Sequence, residues 1–151
     1  MRFIGNIEAK TDAKGRAFLP AVFRKVLQAS GEDGLVLRKD VFQNCLVLYP
    51  ESVWNERLDL LKSQLRPWKQ AHQQIFRQFV SEAEVVTLDG NGRFLISKRL
   101  MKVAEIEQDL QFIGMDNTIE IWAPEKLKET LKSEEEFGIE LENIMNVSDN
   151  L

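Results

Sequence analysis

The sequence predicts a mainly β fold with helices, of the α+β class, in which one β unit occurs twice. The first observation is a repeated turn pattern. Residues 12–16 read Asp-Ala-Lys-Gly-Arg, and residues 89–93, 77 positions later, read Asp-Gly-Asn-Gly-Arg. The second is that β-branched and aromatic runs flank both patterns in the same order, which is typical of strands. The third is a polar stretch between the copies whose apolar residues follow helical spacing. These observations indicate a tandem duplication joined by helices.

Each copy of the turn pattern has the residue types that a tight hairpin needs. Asp12 and Asp89 can accept hydrogen bonds from backbone N–H groups two residues ahead, as in Asx turns. Gly15 and Gly92 can adopt the positive φ that such a hairpin demands, at little steric cost. We therefore expect these four to be structural turn residues.

The elements of each copy follow in the order strand, turn, strand, short helix, strand, turn, strand. Pro20 and Ser97 stand where a helix can begin, so brief helices are expected over residues 21–27 and 98–103. Apolar runs place the later strands at residues 35–38, 45–49, 110–114 and 118–122.

The stretch between the copies predicts a helical hairpin. Apolar residues at 53, 54, 58, 61 and 65 follow helical spacing up to Arg66-Pro67, and a second stripe lies at 75, 76, 79 and 80. A further helix is expected from Pro124 to about residue 132, and then a frayed helix or mobile tail over residues 133–151. The expected organisation is a first repeat (3–50), a helical linker (51–82), a second repeat (83–124) and a C-terminal helix with an acidic tail (125–151).

Composition excludes several classes of protein. The 151 residues are 44% hydrophobic and 29% charged, which is ordinary for a folded domain. No apolar run approaches the ~20 residues of a membrane span, and the N-terminus lacks the apolar segment of a signal peptide. A cytoplasmic protein with no membrane partner is therefore expected. The single cysteine, Cys45, excludes an intrachain disulfide and is expected in the core.

The residue types also argue against catalysis. One histidine and one cysteine argue against a zinc site. No Ser/His/Asp set, pair of catalytic carboxylates or phosphate-binding loop stands out. We therefore expect no enzyme activity, no catalytic residues, no metal, no cofactor and no small-molecule substrate.

Charge is distributed unevenly along the chain. The formal net charge is −4, but residues 1–80 carry 13 Lys/Arg against 8 Asp/Glu, whereas residues 81–151 carry 7 against 16. A basic first half with an acidic tail is typical of a protein whose first half faces a polyanion. The overall acidity therefore does not exclude a nucleic acid partner, because only the contacting face must be basic.

The motifs resemble those of one family. The relevant pattern is Phe3-x-Gly5, then Asp12-Ala-Lys-Gly-Arg-x-x-x-Pro20-x-x-Phe23-Arg24, and a second D-x-x-G-R at residues 89–93. Over roughly residues 1–133 the chain resembles the MraZ family of bacterial regulators, which is associated with the division and cell-wall gene cluster. Each copy resembles the AbrB/SpoVT swapped-hairpin module. Two departures are Ser97-Lys98, where the second copy often has Pro-Pro, and Ile4, where Arg is often found.

The resemblance implies a fold, an assembly and a DNA site. The implied fold is a small AbrB-like β-barrel of two interlocked hairpin units, both supplied by this chain. The implied activity is regulation of transcription by a ring-shaped homo-oligomer, nucleoid-associated, on short repeats of double-stranded DNA. The family's DNA-contacting arginine falls on Arg16, with Lys14 beside it, and the second motif places Arg93. We expect Arg16 and Lys14 to read base edges, and Lys10 and Arg24 to contact the DNA backbone.

Structural alternatives stand beside these DNA roles. Either Arg16 or Arg93 can instead form an Asp–Arg pair that braces its hairpin, and for Arg93 the two roles stay open. Other charges, such as Arg38 and Lys39, are expected to be solvated.

Apolar residues of the linker predict that the protein is oligomeric, because one small barrel cannot bury them all: Trp54, Leu58, Ile75, Phe76, Phe79 and Val80. Two other functions remain open. One is an antitoxin-like module whose acidic tail binds a partner protein, and the other is a structural assembly protein without nucleic acid.

Overall fold

A computed structural model describes residues 1–149 of the chain. The first copy contains β1 (Asn6–Lys10), β2 (Arg16–Phe18), α1 (Ala21–Ala29), β3 (Leu35–Lys39) and β4 (Leu46–Pro50). The linker contains α2 (Glu51–Gln64) and α3 (Gln70–Ser81). The second copy contains β5 (Glu84–Val86), β6 (Arg93–Leu95), α4 (Lys98–Val103), β7 (Asp109–Met115) and β8 (Thr118–Trp122). Two helices follow, α5 (Pro124–Lys128) and α6 (Glu134–Asp149).

Local sequence patterns predicted the type of these elements, and the structure moves some of their ends. Helix α1 continues two residues past the predicted end, and its cap at Ser30 donates to the carbonyls of Val26 and Leu27. Helix α5 ends four residues early, because beyond Leu127 the chain is exposed and has no apolar face to bury. The predicted tail is helical from Glu134 to Asp149, and its last two residues, 150 and 151, lie outside the described part.

The sheet exchanges strands between the two copies. Its six antiparallel strands run β1-β7-β8-β4-β3-β5. The first strand of each copy therefore pairs with the third strand of the other, β1 with β7 and β5 with β3. Exchanging the two copies reverses this order onto itself, so the chain has a pseudo-two-fold axis between β4 and β8. Within residues 1–149, the second strands, β2 and β6, pair only with each other in a separate two-stranded ribbon.

The α+β fold with a mostly antiparallel sheet is as expected, but this sheet is not a closed barrel, and the AbrB-like barrel that the resemblance implies stays a prediction. Strands β1 and β5 are edge strands with one neighbour each, so the six-stranded sheet is open. The physical reason is the length of β2 and β6, which have three residues each. Strands this short form one ladder with each other and do not extend to close the sheet.

The main core lies between the sheet, the ribbon and helices α1 and α4, and it draws on both copies. Phe3 and Phe23 pack edge to face with ring centroids 5.6 Å apart, and Phe94 and Phe112 lie 6.2 Å apart. All four rings are almost completely buried. They belong to one cluster of buried residues drawn from both copies. Because burying such a side chain stabilises a fold by ~1.5–3 kcal/mol, this shared cluster ties the two copies into one unit.

The linker helices pack on the outer face of the sheet through a second aromatic cluster. Trp54 of α2 stacks on Phe79 of α3 with centroids 5.3 Å apart, and the rings of Tyr49 of β4 and Trp54 pack edge to face. Trp54 is 8% exposed and Phe79 is half-buried. The expectation that both would be exposed for assembly is therefore wrong, since they cover each other within one chain.

Arg38, which was expected to be solvated, is buried beneath helix α3. Its Nε donates to the carbonyl of Phe79 at 2.9 Å and its Nη1 to the carbonyl of Lys39 at 2.6 Å. Its Nη2 lies 3.4 Å from a carboxylate oxygen of Glu82, and the guanidinium sits 4.6 Å from the centre of the Phe79 ring. This one side chain therefore fastens the linker to β3.

Replacing Arg38 with Ala should lower the free energy of unfolding by about 2–4 kcal/mol, because the partly buried carbonyls of Phe79 and Lys39 lose their donor and Glu82 loses its partner. Urea denaturation measures the change. Arg99→Ala is the matched control, since Arg99 pairs with Glu84 at 2.7 Å but is 48% exposed, and such a pair is worth ~0–1 kcal/mol. An equal decrease in the free energy of unfolding in the two variants would contradict the role given to Arg38.

The prediction that Cys45 lies in the core is confirmed. It has no exposed surface and packs against Trp122 and Leu127. Burial raises the pKa of its thiol well above the ordinary value. In the described part of the chain, no helix is long and apolar enough to cross a membrane.

Candidate nucleic-acid interface

The first turn is held by a single aspartate. The backbone N–H groups of Lys14 and Arg16 both donate to Oδ1 of Asp12 at 2.9 Å. Nε of Arg16 donates to Oδ2 at 2.7 Å. The N–H of Arg16, and then its side chain, hold the pKa of Asp12 below its ordinary value. The carboxylate therefore fixes both the turn and the direction of the arginine.

The second turn repeats this geometry. Asn91 and Arg93 donate their backbone N–H groups to Oδ1 of Asp89 at 2.9 Å, and Nε of Arg93 donates to Oδ2 at 2.9 Å. The N–H of Arg93 is again the main reason why the pKa of Asp89 is lowered. In both turns the brace uses the Nε edge of the guanidinium. It does not engage the terminal Nη groups, which can therefore bind a ligand.

Glycine is required at both turns. Gly15 has φ +88° and Gly92 has φ +82°, a region that L side chains rarely adopt. A Cβ on Gly15 would lie 2.8 Å from the carbonyl oxygen of Ile96, and one on Gly92 would collide with the side chain of Arg24. The carbonyls of both glycines also accept hydrogen bonds from the other copy. Gly15 accepts from the N–H of Ile96, and Gly92 accepts from the N–H of Leu19, both at 2.9 Å.

The two arginines lie on one face of the ribbon formed by β2 and β6. Arg16 is paired with Leu95 and Phe18 with Arg93. Paired residues, and residues two apart on one strand, point to the same side of a ladder. These four side chains form the outer face, which we call the ribbon face, while Ala17 and Phe94 point into the core. By strand geometry the Cα atoms of the two arginines are about 8 Å apart.

The ribbon face is not symmetric in detail. The guanidinium of Arg93 lies 5.8 Å from the centre of the Phe18 ring, whereas Arg16 faces the aliphatic side chain of Leu95. The Arg93 side chain is 25% exposed and that of Arg16 is 35% exposed. Arg16 is therefore the more available of the two.

Sequence comparison places the chain in a family. It matches the family described as "MraZ protein, putative antitoxin-like" over residues 3–75 and 79–143. The chain belongs to the MraZ family. A protein of Phocaeicola vulgatus named transcriptional regulator MraZ is 61% identical over 151 residues, which are 100% of this chain and 98% of that protein. A protein of the same name from Bacteroides thetaiotaomicron is 60% identical over 146 residues, 97% and 94% of the two chains. One from Christiangramia forsetii is 36% identical over 150 residues, 99% and 96%.

Two predictions made from the motifs are thereby confirmed. The resemblance to MraZ is a family membership, and the tandem duplication agrees with a family match in two modules. The structure adds where each candidate residue of this MraZ chain lies.

Arg24 lies at the second turn and not beside Arg16. Its Nη1 donates to the backbone carbonyl of Asn91 at 3.1 Å, and Lys25 lines the same cleft. The strand exchange is the reason, because it carries helix α1 of the first copy to the turn of the second copy. Lys10 lies at the end of edge strand β1, with Nζ 3.9 Å from Asp109, and its side chain is 72% exposed.

By the same exchange, helix α4 of the second copy lies beside the first turn. Lys98 and Lys102 line one cleft with Lys14 and Gly15, and both are exposed. Sequence reasoning missed these two lysines because it grouped cations by copy. With the 77-residue shift between the copies, Lys102 is the equivalent of Lys25. The repeat therefore indicated a lysine at this position, but only the strand exchange shows that it lies beside the first turn.

Proposed function

We propose that this protein is a sequence-specific DNA-binding transcription regulator that acts as a homo-oligomer on repeated operator boxes, and that these boxes belong to the division and cell-wall gene cluster. The relatives' shared name, transcriptional regulator MraZ, supports the regulatory role. The observation that carries the DNA role is the ribbon face, with two braced arginines on one side of a two-stranded ribbon.

A ribbon of this kind suits the major groove of DNA, which admits two antiparallel strands. Arginine can donate two hydrogen bonds to the O6 and N7 atoms of guanine, and an apolar side chain can contact a thymine methyl group. In our proposal Arg16 and Lys14 read base edges, and Phe18 supplies the apolar contact. Arg93 either contacts the DNA or only braces its hairpin.

The surrounding cations would hold the DNA backbone. Lys10 and Arg24 are proposed to contact phosphates, and the structure gives reason to add Lys98 and Lys102, which flank the first turn. Phosphate contacts contribute affinity and set the position of the protein without reading sequence. This cluster explains how a chain with a net charge of −4 can bind DNA in the cytoplasm, close to the nucleoid.

Affinity would come from several subunits at once. One small ribbon face makes few contacts, so a single subunit binds weakly. In a homo-oligomer such as a ring, binding of one subunit to one box holds the other subunits close to the neighbouring boxes. Their effective concentration at those boxes is then high, and the whole assembly binds far more tightly. The proposal therefore needs repeats in the operator as well as copies of the protein.

A mobility-shift titration tests the proposal. The probes are the region upstream of the protein's own gene and a scrambled sequence of equal length and composition. We expect the upstream probe to bind at least about 10³-fold more tightly at physiological salt. Equal binding of the two probes, or none, would overturn sequence-specific regulation.

A further inference from the structure

The tip of the helical linker carries a basic, apolar groove. The groove has a volume of about 410 Å³ and lies between the end of α2 and the start of α3. Its apolar lining comes from Leu65, Pro67 and Phe76, and three cations surround it: Lys62, Arg66 and Arg77. Residues 60–79 contain four Lys/Arg and no Asp/Glu. The groove therefore fits an apolar ligand with negative charges at its edges.

Helix α6 has the complementary character. Residues 134–145 contain five glutamates and no Lys/Arg. Phe137, Leu141 and Met145 follow the i, i+4, i+8 spacing of one helix face, and they are 59%, 46% and 56% exposed. Every side chain from residue 134 to 146 is exposed. Most of the stability of a protein helix comes from burying an apolar face, and α6 leaves its apolar face exposed, so it would gain stability from a surface to dock on.

We propose that α6 of one copy docks into the linker groove of a second copy and so joins neighbouring subunits of the oligomer. The apolar face of α6 would cover Leu65 and Phe76. Glu140 and Glu142 lie on opposite sides of that face by helical geometry and would meet the cations at the rim. Glu140, which pairs with Lys132 of its own chain at 2.7 Å in the structure, would exchange that partner for a cation of the groove.

A second copy is the occupant that the observations favour. Each chain carries both the groove and the helix that fits it, but in the structure its own α6 leaves its apolar face exposed. When the helix of one copy binds the groove of the next, the contact is head-to-tail. Such contacts generate a ring if the rotation between neighbouring subunits brings the last copy back to the first. The inference rests on the homo-oligomer proposed above, but it does not depend on DNA binding.

Charge reversal in the full-length chain tests this docking. The tail variant carries Glu134→Lys, Glu140→Lys and Glu142→Lys. The groove variant carries Lys62→Glu, Arg66→Glu and Arg77→Glu. A swap variant combines all six changes. The control reverses three exposed carboxylates outside α6: Asp33→Lys, Glu107→Lys and Glu125→Lys. Sedimentation and light scattering give the mass of each protein, and circular dichroism checks its folding.

We expect the tail and groove variants each to raise the dissociation constant of the assembly at least about tenfold, so that the mass falls toward the 17.5 kDa of one chain. The control should assemble like wild type, and the swap variant should regain assembly. If the groove variant unfolds, the tail variant still decides. Its three glutamates are exposed, and the pair of Glu140 with Lys132 that it breaks is half-exposed on both sides, so folding should be little affected.

Other outcomes overturn the proposal in different ways. Tail and groove variants that assemble like wild type would show that this contact is not used. Dissociation without recovery in the swap variant would show that the two surfaces do not pair. A groove variant that loses operator affinity but keeps its mass would assign the groove to DNA, and a tail that binds another protein while assembly persists would assign α6 to that partner. A monomeric wild-type protein would overturn the homo-oligomer itself.

Discussion

Replacing Arg16 with Ala should abolish operator binding while the protein stays folded. A bidentate contact to guanine is worth ~1–3 kcal/mol, and every subunit that touches DNA loses it, so affinity should fall at least about 100-fold in a multivalent complex. Stability should change little, because the ion pair of Arg16 with Asp12 is partly exposed and such pairs contribute ~0–1 kcal/mol. The two backbone donors to Asp12 also remain. Operator affinity and melting temperature, measured side by side, check both statements.

Arg93→Ala is the matched control, because it removes the same group from the other strand of the ribbon. Its effect on DNA should be smaller, since the second turn carries Asn91 where the first carries Lys14, and the Arg93 guanidinium lies beside the ring of Phe18. Its effect on melting temperature should be comparable to that of Arg16→Ala, because both braces have the same geometry. If Arg16→Ala bound the operator like wild type, or bound less only because it had unfolded, the ribbon face would not be the DNA-reading element.

The first half of the chain, residues 1–82, should not fold as a monomer when it is produced alone. It would lack β5, the neighbour of β3, and β6, the partner of β2, and its own β1 would have no β7 to pair with. The core would also lose Phe94 and Phe112. Because the two copies are pseudo-symmetric, two first halves can fold only by exchanging strands with each other.

Circular dichroism and sedimentation of residues 1–82 test this expectation. The fragment should be unfolded at low concentration, and any folded species should have the mass of a dimer. The control is the full chain carrying a protease site in the turn between α2 and α3, cleaved after folding, whose two pieces should stay together. A folded monomer of residues 1–82 would contradict the view that the halves complete each other.

The contacts of the charged side chains were predictable from the sequence only in part. The Asp–Arg turns were recognisable because their hydrogen bonds join residues two to four positions apart. The burial of Arg38 was not, because its partners Phe79 and Glu82 lie more than 40 positions away. A charged residue in a short apolar strand looks solvated until the helix that covers it is known.

The sequence by itself determined the duplication, the positions of the turns and the type of almost every element, because these depend on local spacing and on residues such as Gly15 and Gly92, which can adopt the positive φ that a tight turn needs. The tertiary structure decided which strand pairs with which. Backbone hydrogen bonds between strands are similar for any partner, so the choice follows from which arrangement buries both apolar faces, and that is a property of the whole chain. The exchange of β1 and β5 placed Arg24 at the second turn and Lys98 and Lys102 at the first. The short ribbon strands left the sheet open.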